Sequence, residues 1–177
     1  MKRLSEVDET GDSLFHNAHV FYREALKAGP QLDLLTVKFL HYLQKAFDDF
    51  DTHKTSALSL SSWSKIMLGT ASTNAMMGPA LLHDNPDMLP SVWLIESGFI
   101  LFVNRIPRIF AKKHYRARDH VMAAFTRYFA DEKNREEGAP LVWDREIQLR
   151  AKGMTTKDIA AYSYSAYAVS ILNYEHL

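Results

Sequence analysis

The sequence has 177 residues, enough for one ordinary domain, and its 47% hydrophobic and 24% charged residues are typical of globular proteins. Its formal net charge of zero argues against nucleic-acid binding, and the absence of cysteine excludes disulfides, cysteine-ligated zinc and cysteine nucleophiles. The first ten residues are too polar for a signal peptide and no apolar run approaches a membrane-spanning length, so the composition predicts an intracellular chain without an anchor.

Glycine and proline are few in the N-terminal half, and they separate segments that have helical periodicity. In chain order the sequence predicts a disordered start at 1–12, a helix that ends at Gly29 and a helix from Pro30 to about Phe50. A polar loop at 51–55 and a mixed helical segment at 58–77 follow. None of them shows the period-two alternation of a strand.

The C-terminal half continues the same pattern of helices between breaks. It contains breaks at Gly78-Pro79 and Asn85-Pro86, an apolar segment from Trp93 to Val103, a kinked basic connection at 105–108, an amphipathic helix from His114 to Ala130 and a short helix from Leu141 to Ala151. The predicted fold class is therefore all-α, with seven or eight helices in a single helical region that spans residues 1–177.

The last predicted helix runs from Thr155 to Leu177. Thr155 is followed three residues later by Asp158, a pattern that marks helix starts. The residues that follow are almost uncharged, and no face of the helix is polar enough to face water. Such a helix is expected to be buried on all sides. It therefore needs neighbours beyond it, and we expect this chain to be part of a larger protein.

Isolated histidines and charges give no specific chemistry. His16 and His19 are three residues apart, but no carboxylate lies at a ligand-like offset, which favours packing histidines over a metal site. No metal site is predicted. His114 and His120 flank a basic run that is either a solvated helix face or, with the apolar residues upstream, part of a contact with an anionic membrane surface through Phe99 to Lys113.

Several segments nevertheless follow one another in the order found in a known protein family. They are Phe15–Gln44 for a C-helix region, Trp63–Pro86 for an E helix and its turn, Trp93–Pro107 for an F helix and F–G connection, Tyr115–Arg118 for the start of a G helix, and Arg150–Ala160 for the turn into a central I helix. This order resembles the middle of a cytochrome P-450 monooxygenase, within the branch of sterol 7-alpha-hydroxylases, prostacyclin synthases and fungal relatives. The resemblance begins near Ser13 and implies an incomplete helical core, from about the C helix to the middle of the I helix.

The end of the chain is where the resemblance implies oxygen chemistry. The run Ser170-Ile171-Leu172-Asn173-Tyr174 is similar to the Ser-x-x-Asn-Thr pattern of the family's I helix. Ser170, Asn173 and Tyr174 are thus implied as catalytic residues of the distal pocket, and Asn173 also as a haem contact. Tyr174 departs from the family pattern, which has a threonine hydroxyl at that position to help deliver protons.

The resemblance also implies a substrate, a cofactor and partners. Trp93, Phe99 and Phe102 are implied as an apolar roof over a lipophilic substrate such as a sterol, a fatty acid or a secondary metabolite. The parent family binds haem, receives electrons from a reductase and is found at the endoplasmic reticulum membrane. These are properties of the family, and composition and spacing do not show them.

The family's haem–thiolate loop has no counterpart in this sequence. Because the chain has no cysteine, we expect that it does not hold haem stably by itself and that the isolated chain is inactive. Two alternatives of another class stay open. One is a complete, non-enzymatic helical interaction protein that docks through 155–177, and the other is a membrane-surface protein that uses Phe99 to Lys113.

Overall fold

The computed structural model describes residues 20–24, 26–49 and 59–172, with backbone only at 135–136 and 169–172. Residues 20–24 form a helical turn. The α-helices that follow are α1 (Pro30–Asp48), α2 (Leu60–Met77), α3 (Ala80–His83), α4 (Met88–Ser97), α5 (Phe99–Val103), α6 (Lys112–Ala130), α7 (Pro140–Ala151) and α8 (Thr156–Leu172), with a 3-10 helix at Glu132–Glu136 before α7. No strand occurs within these ranges, which confirms the all-α prediction.

Local sequence signals explain where several helices begin and end. The Thr155 hydroxyl accepts a hydrogen bond from the Asp158 amide and donates one to its carboxylate, so the predicted start of α8 is confirmed. The end of α7 is closed by a Schellman motif, in which the Gly153 amide bonds to Arg150 and the Met154 amide bonds to Leu149. Gly153 has φ 76, a conformation that glycine adopts without strain.

The core lies around α6, which contacts both α4 and α8. The fully buried side chains of α6 are Val121, Ala124 and Phe125. They pack in one cluster with residues from the neighbouring helices, among them Val92 of α4 and Ile159 of α8. A second pair, α1 and α2, packs along its length, although no residue of α1 is fully buried.

The predicted apolar segment from Trp93 to Val103 does not form one continuous helix. The structure has two helices here, α4 and α5, which meet at Gly98. The ring of His114 packs so closely on Gly98 that a Cβ at this position would lie 2.3 Å from His114 Cδ2. His114 is itself only 8% exposed, whereas Lys112, Lys113 and Arg116 of the basic run that it flanks are exposed.

The residues that the structure describes bury the last helix only in part, and its burial by further neighbours stays a prediction. Ile159, Ala160 and Tyr167 of α8 are buried, whereas Lys157 and Ser165 are exposed. The main described neighbours of α8 are α6 and α7. Residues 15–19 and 25 of the predicted first helix, the start at 1–12 for which disorder was predicted, and residues 173–177 lie outside the described ranges.

We predict that Gly98→Ala lowers the free energy of unfolding by about 1–3 kcal/mol, the usual cost of forcing an extra methyl into a packed site. The cause would be the collision with the His114 ring. Urea unfolding of the two proteins measures the difference. The control is Gly98→Ala in a His114→Ala background, where the ring is gone and the glycine substitution should cost much less. Equal costs in both backgrounds would show that contact with the ring is not what makes the alanine costly.

Candidate functional site

The N-terminal two-thirds of α8 forms a wall that is attached to the core by aromatic contacts. Phe125 of α6 meets the Tyr164 ring at 6.0 Å and the Tyr167 ring at 5.3 Å, both edge to face. Edge-to-face pairs bring the positive ring edge onto the negative face of the partner and fix the orientation as well as the distance. The two tyrosines therefore set the rotation of α8 about its own axis.

A buried hydrogen bond joins this wall to α2. The hydroxyls of Thr73 and Tyr167 lie 2.7 Å apart, and Thr73 also donates to the Gly69 carbonyl at 2.7 Å. Because the single hydroxyl hydrogen of Thr73 is used on Gly69, Tyr167 is the donor to Thr73 Oγ1. Burial raises the pKa of Tyr167 above its ordinary value, against the smaller opposing effect of the Thr73 hydrogen bond, so the phenol stays protonated.

A buried arginine supports the first half of the same wall. Arg145 of α7 is only 4% exposed and donates to the Tyr162 hydroxyl from Nε at 3.2 Å and from Nη2 at 2.8 Å. Its guanidinium lies 4.9 Å from the Tyr162 ring centre and 5.2 Å from that of Phe21. Burial raises the pKa of Tyr162, and Arg145 partly opposes this. The arginine thus connects the helical turn at 20–24, α7 and α8.

The predicted oxygen-site residues lie at the far end of this wall. Ser170 is in the last turn of α8, where the structure describes the backbone but not the side chain. Asn173 and Tyr174 lie outside the described residues. Their roles therefore stay predictions. Sequence reasoning missed Thr73 and Arg145, and the one signal for Tyr167 was its spacing from Tyr164 along one helix face.

The three predicted roof residues have different surroundings. Trp93 is half-buried against α2, with Lys65 Nζ 5.7 Å from its ring centre and Gly69 beneath its edge. Phe102 is half-buried and meets the Tyr115 ring of α6 edge to face at 5.0 Å. Phe99 is 63% exposed. Their contact with a substrate stays a prediction.

Apolar and basic side chains are exposed together around the connection between α5 and α6. We call this surface the apolar–basic patch, and its members are the exposed apolar residues Phe99, Ile100, Val103, Ile109 and Phe110 with the exposed cations Arg105, Arg108, Lys112 and Lys113. Ile109 and Phe110 are 79% and 81% exposed. Several large apolar side chains exposed in one segment indicate an interaction surface, whereas single scattered ones are normal on protein surfaces.

The chain's own side chains do not supply the haem ligand that the family resemblance implies. The sequence has no cysteine, so the thiolate cannot come from these 177 residues. The hydroxyls of Tyr162 and Tyr167 are already bonded to Arg145 and Thr73. In the described part of the chain, no three His, Cys, Asp or Glu side chains gather as a metal site, and no helix is long and apolar enough to cross a bilayer.

Comparison with known proteins gives one informative relative. The chain is similar to the cytochrome P-450 monooxygenase nodJ of Hypoxylon pulicicidum, with 27% identity over 134 residues that cover 75% of this chain and 26% of the relative. The chain thus spans about a quarter of the length of the curated relative that it matches. No protein-family model matches the chain, and no solved structure does. The chain is therefore similar to a cytochrome P-450 monooxygenase over three-quarters of its own length, and its helical fold is compatible with part of such a protein.

We predict that Tyr167→Phe lowers the free energy of unfolding by about 1 kcal/mol, the usual net value of one buried hydrogen bond. The ring contact with Phe125 would be retained, so the loss isolates the bond to Thr73. The matched control is Tyr164→Phe on the same helix, which keeps its own contact with Phe125 and should cost less. Urea unfolding gives both values, and a larger loss for Tyr164→Phe would contradict the assignment.

Proposed function

We propose that this chain forms the helical part of a haem–thiolate monooxygenase that oxidises a lipophilic substrate with dioxygen and electrons from a reductase. The observation that carries the proposal is the similarity to a cytochrome P-450 monooxygenase over three-quarters of the chain. The all-helical fold is compatible with a partial fold of that family. A sterol-like, fatty-acid-like or secondary-metabolite substrate, and the sterol 7-alpha-hydroxylase and prostacyclin synthase branch, belong to the proposal.

In this proposal α8 is the wall that faces the reacting oxygen. Ser170, Asn173 and Tyr174 would lie in the distal pocket, and Trp93, Phe99 and Phe102 would cover the substrate. The contribution of the described residues is rigidity, because the Thr73–Tyr167 and Arg145–Tyr162 contacts hold α8 at a fixed angle to α2 and α7. A fixed wall keeps a bound substrate oriented, which is a large part of what a protein adds to cofactor chemistry.

The thiolate is the part of this site that does not fit the chain. Since no cysteine is present, these 177 residues cannot supply the thiolate that the family's haem chemistry requires. We therefore propose that the isolated chain does not hold haem through a thiolate and is inactive as a monooxygenase.

We predict that residues 1–177, mixed with haem, reduced and exposed to carbon monoxide, give no Soret band at the long-wavelength position of a thiolate-bound iron. The reason is the missing sulfur ligand. A haem–thiolate protein treated in the same way is the positive control. A thiolate-type band from the chain alone would overturn the inactive-fragment proposal, whereas a band at the histidine position would leave it intact.

A second proposed function is docking of the apolar–basic patch on an anionic membrane surface. Its specific support is the exposure of Ile109 and Phe110 beside Lys112 and Lys113. Apolar side chains can enter the acyl boundary of a bilayer while cations meet the headgroups. This surface adjoins the proposed roof at Phe99 and Phe102, so a lipophilic substrate would reach the roof from the bilayer.

We predict that Ile109→Ser with Phe110→Ser weakens binding to vesicles of phosphatidylcholine and phosphatidylserine by about tenfold or more, because two apolar side chains lose their burial in lipid. Co-sedimentation at several salt concentrations measures the affinity. The matched control is Val37→Ser with Leu40→Ser, which removes two exposed apolar side chains from α1. Equal losses in the two double variants would show that the patch has no special role.

A further inference from the structure

The connection between α5 and α6 is held in place by its own backbone. The Arg105 amide bonds to the Phe102 carbonyl at 3.1 Å and the Ile106 amide bonds to the Leu101 carbonyl at 2.9 Å, which together form a Schellman motif at the end of α5. Arg105 has φ 52 in the position where glycine is usual. A non-glycine residue keeps this conformation only when surrounding contacts hold it.

Side chains of α6 supply those contacts. The Tyr115 hydroxyl donates to the Ile106 carbonyl at 3.0 Å. The guanidinium groups of Arg108 and Arg118 lie 5.5 Å and 4.9 Å from the centre of the Tyr115 ring. Asp119 accepts hydrogen bonds from Arg108 and from Arg118, the latter at 3.2 Å. We call Arg108, Tyr115, Arg118 and Asp119 the Asp119 cluster.

The charges of this cluster favour the ionised aspartate. Burial alone would raise the pKa of Asp119, but hydrogen bonds and charge from Arg108 and Arg118 lower it below its ordinary value. The carboxylate therefore stays charged at neutral pH and keeps both arginines together. Arg108 belongs to the connection and Arg118 to α6, so the carboxylate joins the two elements.

The cluster holds two apolar side chains out in the solvent. Ile109 and Phe110 directly follow Arg108 and are among the most exposed large apolar residues that the structure describes. A connection free to move would bury such side chains against the protein surface. The geometry instead fixes them beside Lys112 and Lys113. The connection would therefore lose little conformational entropy when it binds a partner.

We propose that Asp119 is a positioning residue that presets the connection for contact with an anionic lipid surface. The inference rests on the docking function proposed above and adds how that surface is prepared. Asp119 has no direct part in the contact, since its charge has the wrong sign for an anionic headgroup. It acts through Arg108, which it holds against the Tyr115 ring.

Substitution of Asp119 distinguishes this positioning role from an effect of charge alone, because the two predict opposite changes in the affinity for anionic vesicles. Asp119→Asn adds one positive charge to the surface, and charge alone would tighten binding to anionic vesicles by about fivefold. Loss of the Arg108 contact would instead free the connection, which must then be ordered on binding. We expect the second effect to be larger and Asp119→Asn to bind about threefold more weakly than the native chain.

The binding test uses vesicles of phosphatidylcholine and phosphatidylserine at roughly three to one, with co-sedimentation at fixed salt. The control is Asp144→Asn, which makes the same charge change at an exposed carboxylate on α7. Weaker binding by Asp119→Asn than by Asp144→Asn supports the proposal. Equal or tighter binding by Asp119→Asn overturns it.

A measurement without lipid makes the outcome independent of the docking function. Hydrogen exchange at the Ile106 and Phe110 amides, which bond to Leu101 and Pro107, should become about tenfold faster in Asp119→Asn and stay unchanged in Asp144→Asn. Unchanged exchange in Asp119→Asn overturns the positioning role even if binding falls. Faster exchange with no vesicle binding by any variant would refute the docking surface, while the cluster's hold on the connection would stand.

Discussion

The packing of α6 between α4 and α8 is the interaction on which the rest of the structure depends. Phe125 lies at its centre, fully buried, and contacts two tyrosines of α8. Burial of one such side chain contributes roughly 1.5–3 kcal/mol, whereas an exposed ion pair contributes at most about 1 kcal/mol. The apolar face of α6 therefore holds the helices together, and the charged residues of this helix serve other purposes.

Different parts of α6 support two different surfaces of the protein. Near the N-terminus of α6, His114 packs on Gly98 and Tyr115 and Asp119 hold the connection that carries Ile109 and Phe110. Farther along, Phe125 orients the wall made by α8. One amphipathic helix thus links the proposed membrane surface to the proposed distal wall. A distortion of α6 would affect both surfaces, although α8 is also held by Thr73 of α2 and by Arg145 of α7.

The sequence predicted the helices whose signals are local, and it failed where the cause is distant. The start of α8 is correct because Thr155 and Asp158 are three residues apart and bond to each other. The packing of the His114 ring on Gly98 was not predicted, because the two residues are sixteen positions apart and only tertiary packing brings them together. The exposure of Phe99 and its basic neighbours agrees with the predicted surface from Phe99 to Lys113, but the Asp119 cluster that holds it was not foreseen.

The amino-acid sequence by itself determined the helical class, the lack of any thiolate and the similarity to a cytochrome P-450 monooxygenase, because these depend on periodicity, composition and residue order. Tertiary structure alone decided which polar groups meet. Thr73 and Tyr167 are 94 residues apart and share a hydrogen bond, and Arg145 is buried with its guanidinium on a tyrosine hydroxyl. Such pairs follow from how the helices pack, and helix packing is set by the sum of many weak apolar contacts that no short stretch of sequence contains.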